Sequence, residues 1–315
     1  MPQLDKDVFG PDAVPEVVAA FNAAMAERFG ELPDIWDVGI DAARSRGLRP
    51  VPPPSPRAFD IEIADGLSLH VVPSTRPRGV LLHIHGGGFI LGGAAHQDAL
   101  LERMADEVGV TCVSVEYRLA PEHPYPAAWD DCHAAALWLL EHAGERFGTE
   151  ALLIAGESAG ALLAVATLLR LRDRGLADRF LGAALNFGVY DSTMTPSQTL
   201  ARSGALTAAT IERIVEAYAP EAATRRHAAL SPLYADLGGL PPALFTVGTL
   251  DAMLDDSMFM HCRWLAAGGR AELALYPGAD HAFIETPHPC AAAANARIDR
   301  FLADCLESLA KDTTR

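Results

Sequence analysis

A chain of 315 residues, half of them hydrophobic and 21% charged, carries enough apolar side chain for a large core without disulfide or metal staples. Its net charge of −16 opposes nucleic-acid phosphates and anionic lipid surfaces, so neither kind of partner is expected. The five cysteines (Cys112, Cys132, Cys262, Cys290, Cys305) are scattered, odd in number and form no C-x-x-C pair, which argues against a disulfide framework and a zinc site.

The first ten residues, MPQLDKDVFG, lack the basic and then apolar regions of a secretory signal, and the longest apolar stretch, Ala161 to Leu169, is too short to span a bilayer. A cytoplasmic protein is therefore expected. Residues 1–50, with a helical pattern near 13–29, read as an N-terminal arm, and the extended run VPPPSP (51–56) marks its boundary with a catalytic domain over 51–315. RAFDIEIADGLSLHVVPS then alternates apolar and polar residues around Asp65-Gly66, the pattern of an antiparallel hairpin.

From residue 79 onward, short apolar runs alternate with longer helical patterns, which predicts a parallel sheet with helices on both faces. The runs are 79–85, 110–117, 151–156, 181–188, 243–249 and 271–278. With the hairpin they make a mostly parallel α/β sheet of about eight strands. Helices are predicted near 96–108, 126–143, 159–173, 254–268 and 289–309, several closed by glycines such as Gly109, Gly144 and Gly175. Residues 190–240 break the alternation with a polar stretch and a helix at about 207–218, and are expected to form a helical cap together with the N-terminal arm.

The strongest chemical signal is Gly156-Glu157-Ser158-Ala159-Gly160, placed between the strand ALLIA and an apolar helix. A serine on such a turn is held in a strained backbone conformation at the carboxyl edge of the sheet, beside a positive helix end. Taken alone, the pattern also fits a tight βα turn with an incidental serine. A second element, His85-Gly86-Gly87-Gly88-Phe89, follows the strand VLLHI and offers free amides at the same edge. Preorganised amides are what a developing oxyanion needs, each worth about 3 kcal/mol. A phosphate cradle is the rival reading, but the loop lacks a following Lys-Ser/Thr and the spacing of a dinucleotide fingerprint.

Through HGGGF (85–89), YRLAPE (117–122) and GESAG (156–160) the chain resembles the hormone-sensitive-lipase-like (bacterial family IV) esterases of the α/β-hydrolase superfamily, from about residue 79 to the end. The resemblance implies an α/β-hydrolase fold and an oxyanion hole formed by the amides of Gly87, Gly88 and Ala159. It also implies that His85 and the YRLAPE segment are supports, not reacting groups. Many members continue the serine motif with Gly-Asn where this chain has Ala161-Leu162, so the packing of that helix is expected to differ.

The fold delivers an acid and then a histidine after the serine, from later strands. Asp251 follows the strand ALFTVGT and matches the family's acid, with Asp255 the runner-up; Asp255 and Asp256 are expected to cap the next helix. Of eleven histidines, His281 follows a late strand in a polar, Gly-flanked loop and is the expected base. The expected catalytic set is thus Ser158, Asp251 and His281. No H-E-x-x-H or comparable spacing points to a metal, and no cofactor is expected.

The expected activity is hydrolysis of small-molecule esters with short-to-medium acyl chains through an acyl-enzyme, with a homodimer a compatible assembly. An amidase or formamidase with the same residues is the nearer alternative. A non-catalytic small-molecule receptor on this fold, of the kind that lost its histidine, is the more distant one and is disfavoured by the presence of His281.

Overall fold

The apolar runs form strands because β-branched and leucine side chains, projecting alternately up and down, can be buried on both faces at once. The computed structural model describes residues 6–29, 35–46, 53–201 and 206–312. Its strands are β1 (Phe59–Ala64), β2 (Leu67–Val72), β3 (Gly79–Ile84), β4 (Val110–Glu116), β5 (Leu152–Glu157), β6 (Phe180–Asn186), β7 (Ala243–Gly248) and β8 (Ala271–Tyr276). They form one eight-stranded sheet in the order β1-β2-β4-β3-β5-β6-β7-β8. β1 and β2 are the expected hairpin, β2 joins β4 antiparallel, and every pairing from β4 through β3 to β8 is parallel. The sheet is thus the eight-stranded, mostly parallel one that the sequence pattern implies.

The alternation along β3 separates the two cores. Val80, Leu82 and Ile84 face a cluster with α5 (Ala127–Phe147) and α6 (Ala159–Arg172), while Leu81 faces α4 (Asp98–Glu107) and α10 (Ala291–Asp312). Fully burying each such side chain contributes about 1.5–3 kcal/mol, so the layering is the main source of stability. The remaining helices are α1 (Glu16–Phe29), α2 (Ile35–Val38), α3 (Ile40–Arg46), α7 (Pro196–Leu200), α8 (Ala208–Tyr218) and α9 (Leu254–Ala266). Among the described residues no helix is long and apolar enough to cross a membrane. All five cysteines are free.

Parallel pairing puts the carboxyl ends of β3, β5, β7 and β8 on one edge of the sheet. The segments that leave this edge begin at His85, Ser158, Thr249 and Pro277, so the candidate residues come together by topology alone.

One boundary departs from expectation. α5 does not close at Gly144 but runs on to Phe147, with Gly148 in the left-handed cap at φ 75° and bonded back to the Gly144 carbonyl. Continued amphipathic burial through Ala143 outweighs one helix-weakening glycine.

Gly144 is thus an interior helical glycine. A Cβ there would lie 3.2 Å from Cγ of Glu150, whose side chain is 78% exposed and free to shift. Gly144→Ala is therefore expected to raise stability by about 0.5–1 kcal/mol, read as an upward shift of the urea midpoint with an unchanged slope. A lowered midpoint would show that the Glu150 contact is rigid.

Candidate active site

Ser158 closes β5 and opens α6 with φ 55° and ψ −117°, a conformation that costs a non-glycine residue on the order of 1–3 kcal/mol. Two contacts hold it. The Ser158 N–H donates to the Asn186 carbonyl at 2.9 Å, and α6 crosses the end of β3 so closely that a Cβ on Gly160 would sit 1.9 Å from the Ile84 carbonyl oxygen. Ser158 stands at the N-cap of α6, yet its hydroxyl makes no cap bond. It instead meets Nε2 of His281 at 2.9 Å.

Nδ1 of His281 lies 2.9 Å from Oδ1 of Asp251, which also accepts the Met253 N–H at 2.8 Å. The Asp251 side chain is fully buried, and that of His281 is 13% exposed. A carboxylate oxygen only accepts, so Nδ1 carries the hydrogen and Nε2 is left bare to accept the Ser158 hydroxyl proton. The two loops are stitched by backbone bonds: Thr249 donates to the Tyr276 carbonyl and Leu250 to that of Ala279, each at 3.0 Å. Phe187 places its ring edge-on to the imidazole, at 70° and 5.1 Å between centroids.

The glycine loop stands against this group. Gly87 has φ 115°, and a Cβ on it would lie 2.1 Å from the Leu91 carbonyl, so the tight reversal accepts no other residue there. Among the described residues no backbone carbonyl takes the N–H of Gly87 or Gly88. The N–H of Ala159 is at the first position of α6, where no intrahelical acceptor exists. A Cβ on Gly86 would come within 3.5 Å of the Ser158 Cβ, so the loop and the serine are in immediate contact. The arrangement brings Ser158, His281 and Asp251 into one hydrogen-bonded line, with Ala159 next to the serine and the glycine loop in contact with it through Gly86.

His85 is buried beneath the loop. Its Nδ1 bonds the Gly86 carbonyl at 2.7 Å, its ring stacks on Tyr117 at 4.2 Å, and the Tyr117 hydroxyl donates to the His85 carbonyl at 3.0 Å. Burial pushes its pKa down to about 3, so the ring is neutral in the fold.

Asp255 and Asp256 do not cap α9. The Asp255 carboxylate accepts the Ser197 N–H at 2.8 Å. Buried Asp256 takes four donors, the N–H groups of Tyr190 and Asp191 on one oxygen and Thr195 Oγ1 and Gln198 Nε2 on the other. Burial pushes its pKa up to about 7 in spite of these donors. The two carboxylates stitch the Asp251 loop to residues 190–198, a role invisible in sequence because their partners lie some sixty residues away.

A second polar group also escaped the sequence reading. His83, Ser114, Glu157 and Asn186 are all fully buried at the ends of four neighbouring strands, and the only sequence signal is a polar residue inside an apolar run.

Described residues of α1, α3 and α8 contact the loops at this edge. Asn22 donates to the Gly278 carbonyl at 2.7 Å, at the start of the His281 loop. Arg44 donates to the carbonyls of Ile90 and Ala120, each at 2.8 Å, and pairs with Glu122 at 3.0 Å. Arg213 of α8 lies over the Trp36 ring at 4.7 Å, and Tyr218 stacks on Phe89 at 3.8 Å. Ile214 is the nearest neighbour of Gly88: its Cγ2 would be 3.0 Å from a Cβ there.

A family profile described as alpha/beta hydrolase fold matches residues 81–285. An acetyl esterase of Salmonella schwarzengrund is 30% identical over 221 residues, which cover 67% of this chain and 67% of that protein. The FAD-linked oxidoreductase pytB of Aspergillus terreus is 32% identical over 288 residues, 87% of this chain but 35% of that larger protein. Among solved structures, EstE5 soaked with p-nitrophenyl butyrate superposes with a TM-score of 0.82 at 26% identity, covering 93% of this chain and 99% of that one. The Pyrobaculum calidifontis esterase gives 0.80 at 26%, covering 92% and 98%. The chain belongs to the alpha/beta hydrolase fold family. Within it, the esterases among its relatives and structural neighbours put it in the hormone-sensitive-lipase-like branch.

The neutral state of His85 has a pH consequence. The unfolded chain binds a proton at an ordinary histidine, with pKa about 6.5, whereas the folded chain does so only near pH 3. Stability is therefore lost as the pH falls through that window, by about 1.4 kcal/mol per pH unit from this group. His85→Gln is expected to flatten the pH dependence of unfolding free energy between pH 6 and 4 by up to that slope, as measured by urea titration at several pH values. An unchanged slope would mean that His85 takes up its proton equally in both states.

Proposed function

We propose that this chain is a serine carboxylesterase in which Ser158, His281 and Asp251 form the catalytic triad and the amides of Gly87, Gly88 and Ala159 form the oxyanion hole. The observation that carries this reading is the continuous hydrogen-bonded line from the Ser158 hydroxyl through His281 to a buried carboxylate, 2.9 Å at each step. His281 Nε2 takes the proton as Oγ attacks the ester carbonyl, and Asp251 stabilises the imidazolium that results. The carbonyl oxygen becomes an oxyanion facing the free amides. Collapse expels the alcohol, which leaves with the proton from His281. A water molecule then repeats the sequence on the acyl-enzyme, giving the carboxylic acid and restoring Ser158.

The cap in this reading comprises the N-terminal arm over 1–50 and the insertion at about 190–240, on the catalytic domain 51–315. Contacts of Arg44, Trp36 and Asn22 with the glycine loop, α8 and the His281 loop support it. Ile214, crowding Gly88, supports short-to-medium acyl chains because it narrows the space beside the reacting carbonyl. The acetyl esterase relative agrees with this size. The substrates are small-molecule esters. The acidic charge of −16 and the free cysteines support a cytoplasmic protein without nucleic-acid or membrane partners, and a homodimer is compatible with the fold.

Two measurements test the reading. Asp251→Asn is expected to cut kcat by about 10⁴-fold while unfolding remains cooperative, and Asp255→Asn to leave kcat far closer to wild type; the reverse pattern would move the acid to Asp255. Over p-nitrophenyl esters of increasing acyl length, kcat/KM is expected to peak at short-to-medium chains, with matching anilides far slower. A preference for the anilides would make the chain an amidase, and no turnover of either would leave a binding protein.

A further inference from the structure

β3 and β5 supply the two halves of the site, the glycine loop and the serine, and a buried polar chain ties their ends together. Glu157, the residue before Ser158, is fully buried, and its carboxylate is 2.8 Å from Nε2 of His83 and accepts the Asn186 amide at 3.1 Å. His83 is also fully buried, and its other nitrogen lies 2.8 Å from the Ser114 hydroxyl. The four residues stand on β5, β6, β3 and β4, four adjacent strands of the sheet. Asn186 closes the circuit through its own carbonyl, which holds the Ser158 N–H at 2.9 Å.

Such a group is costly where it stands. A carboxyl in a dry interior costs several kcal/mol unless its partners are well placed, and apolar residues of similar volume generally serve stability as well or better. Its location distinguishes it from a general stabiliser: His83 lies three residues before Gly86, and Glu157 is bonded directly to Ser158. The gap between the loop amides and Ser158 Oγ is the distance an oxyanion must bridge, and hydrogen-bond donors lose their value over fractions of an ångström. Lateral backbone pairing of β3 with β5 ends at Ile84 and Gly156, short of both reacting elements. The His83–Glu157 bond runs from inside the paired stretch, where His83 stands opposite Ala155, to the first β5 residue past it, and so carries a lateral side-chain contact one residue closer to Ser158 than the backbone pairing reaches.

We propose that Glu157 and His83 are positioning residues that set the spacing between the glycine-loop amides and the Ser158 hydroxyl. This role rests on the ester-hydrolysis reading above and falls to residues that never touch substrate. Because the oxyanion exists only in the transition state, loss of the tie acts on kcat and leaves KM nearly unchanged. Gln at position 157 restores the function: its amide oxygen still accepts from Asn186, and its NH₂ donates to His83 Nε2 while Nδ1–H donates to Ser114.

The test is steady-state kinetics on p-nitrophenyl butyrate for the wild type, Glu157→Leu, Glu157→Gln, His83→Leu, the double Leu variant and Ser158→Ala, each checked for cooperative unfolding. Glu157→Leu is expected to lower kcat by about 10- to 100-fold with KM within about twofold, and Glu157→Gln to recover most of kcat. The double Leu variant is expected to be no slower than the worse single one, as for two residues acting through one contact. A folded Glu157→Leu with wild-type kcat, multiplicative losses in the double variant, or a Glu157→Gln as slow as Glu157→Leu would each overturn the proposal. If Glu157→Leu fails to fold, Glu157→Gln and His83→Leu decide: full kcat in His83→Leu, or a kcat lost in Glu157→Gln, overturns it. Turnover by the wild type and none by Ser158→Ala keeps the ester reading standing whatever these variants do, so the two fail separately.

Discussion

The close crossing of α6 over the end of β3 is the constraint on which the site depends. Gly160 packs its bare Cα against the Ile84 and His85 carbonyls, and any side chain there would push the helix away from the sheet. That crossing accompanies the strained turn at Ser158, which opens α6 with the Ala159 amide at its first position, and Gly86 of the glycine loop packs against the Ser158 Cβ. The strain, on the order of 1–3 kcal/mol, is small against the apolar burial on both faces of the sheet, so a rigid scaffold can hold a conformation the serine would not choose.

Around this centre the chain places polar groups in buried positions. Asp251 bonds His281, Asp256 gathers four donors from residues 190–198, His85 stays neutral under the glycine loop, and Glu157 sits between His83 and Asn186. Each costs desolvation, which is why burial moves Asp256 up to about 7 and His85 down to about 3. Together they link segments that leave the carboxyl edge to one another and to residues 190–198. The loop of Asp251 and Asp255 is fastened to Ser197, and the loop leading to His281 to α1 through Asn22.

Much of this was legible in the residues themselves. The strands announced themselves by continuous apolar runs, and parallel pairing then fixed which loops share an edge, so Ser158, Asp251 and His281 could be brought together from order alone. What escaped was long-range and polar. Nothing near Asp256 in the chain points to Tyr190 or Gln198, and nothing near Asn22 points to Gly278, because side-chain bonds between distant segments leave no periodic trace. Gly144 misled for a local reason: a glycine that ends many helices was carried through by the burial around it. His83 and Glu157 left a faint trace, polar letters in otherwise apolar strands, whose meaning needed the register of β3 on β5.

The most direct test of the central claim is a crystal structure of the chain reacted with an aryl trifluoromethyl ketone, which forms a tetrahedral adduct with an activated serine. The expected result is continuous density from Ser158 Oγ to the ketone carbon, His281 within bonding distance, and the oxyanion oxygen about 3 Å from the amides of Gly87, Gly88 and Ala159. An adduct on another residue, or an oxyanion turned toward solvent with those amides unengaged, would contradict the account.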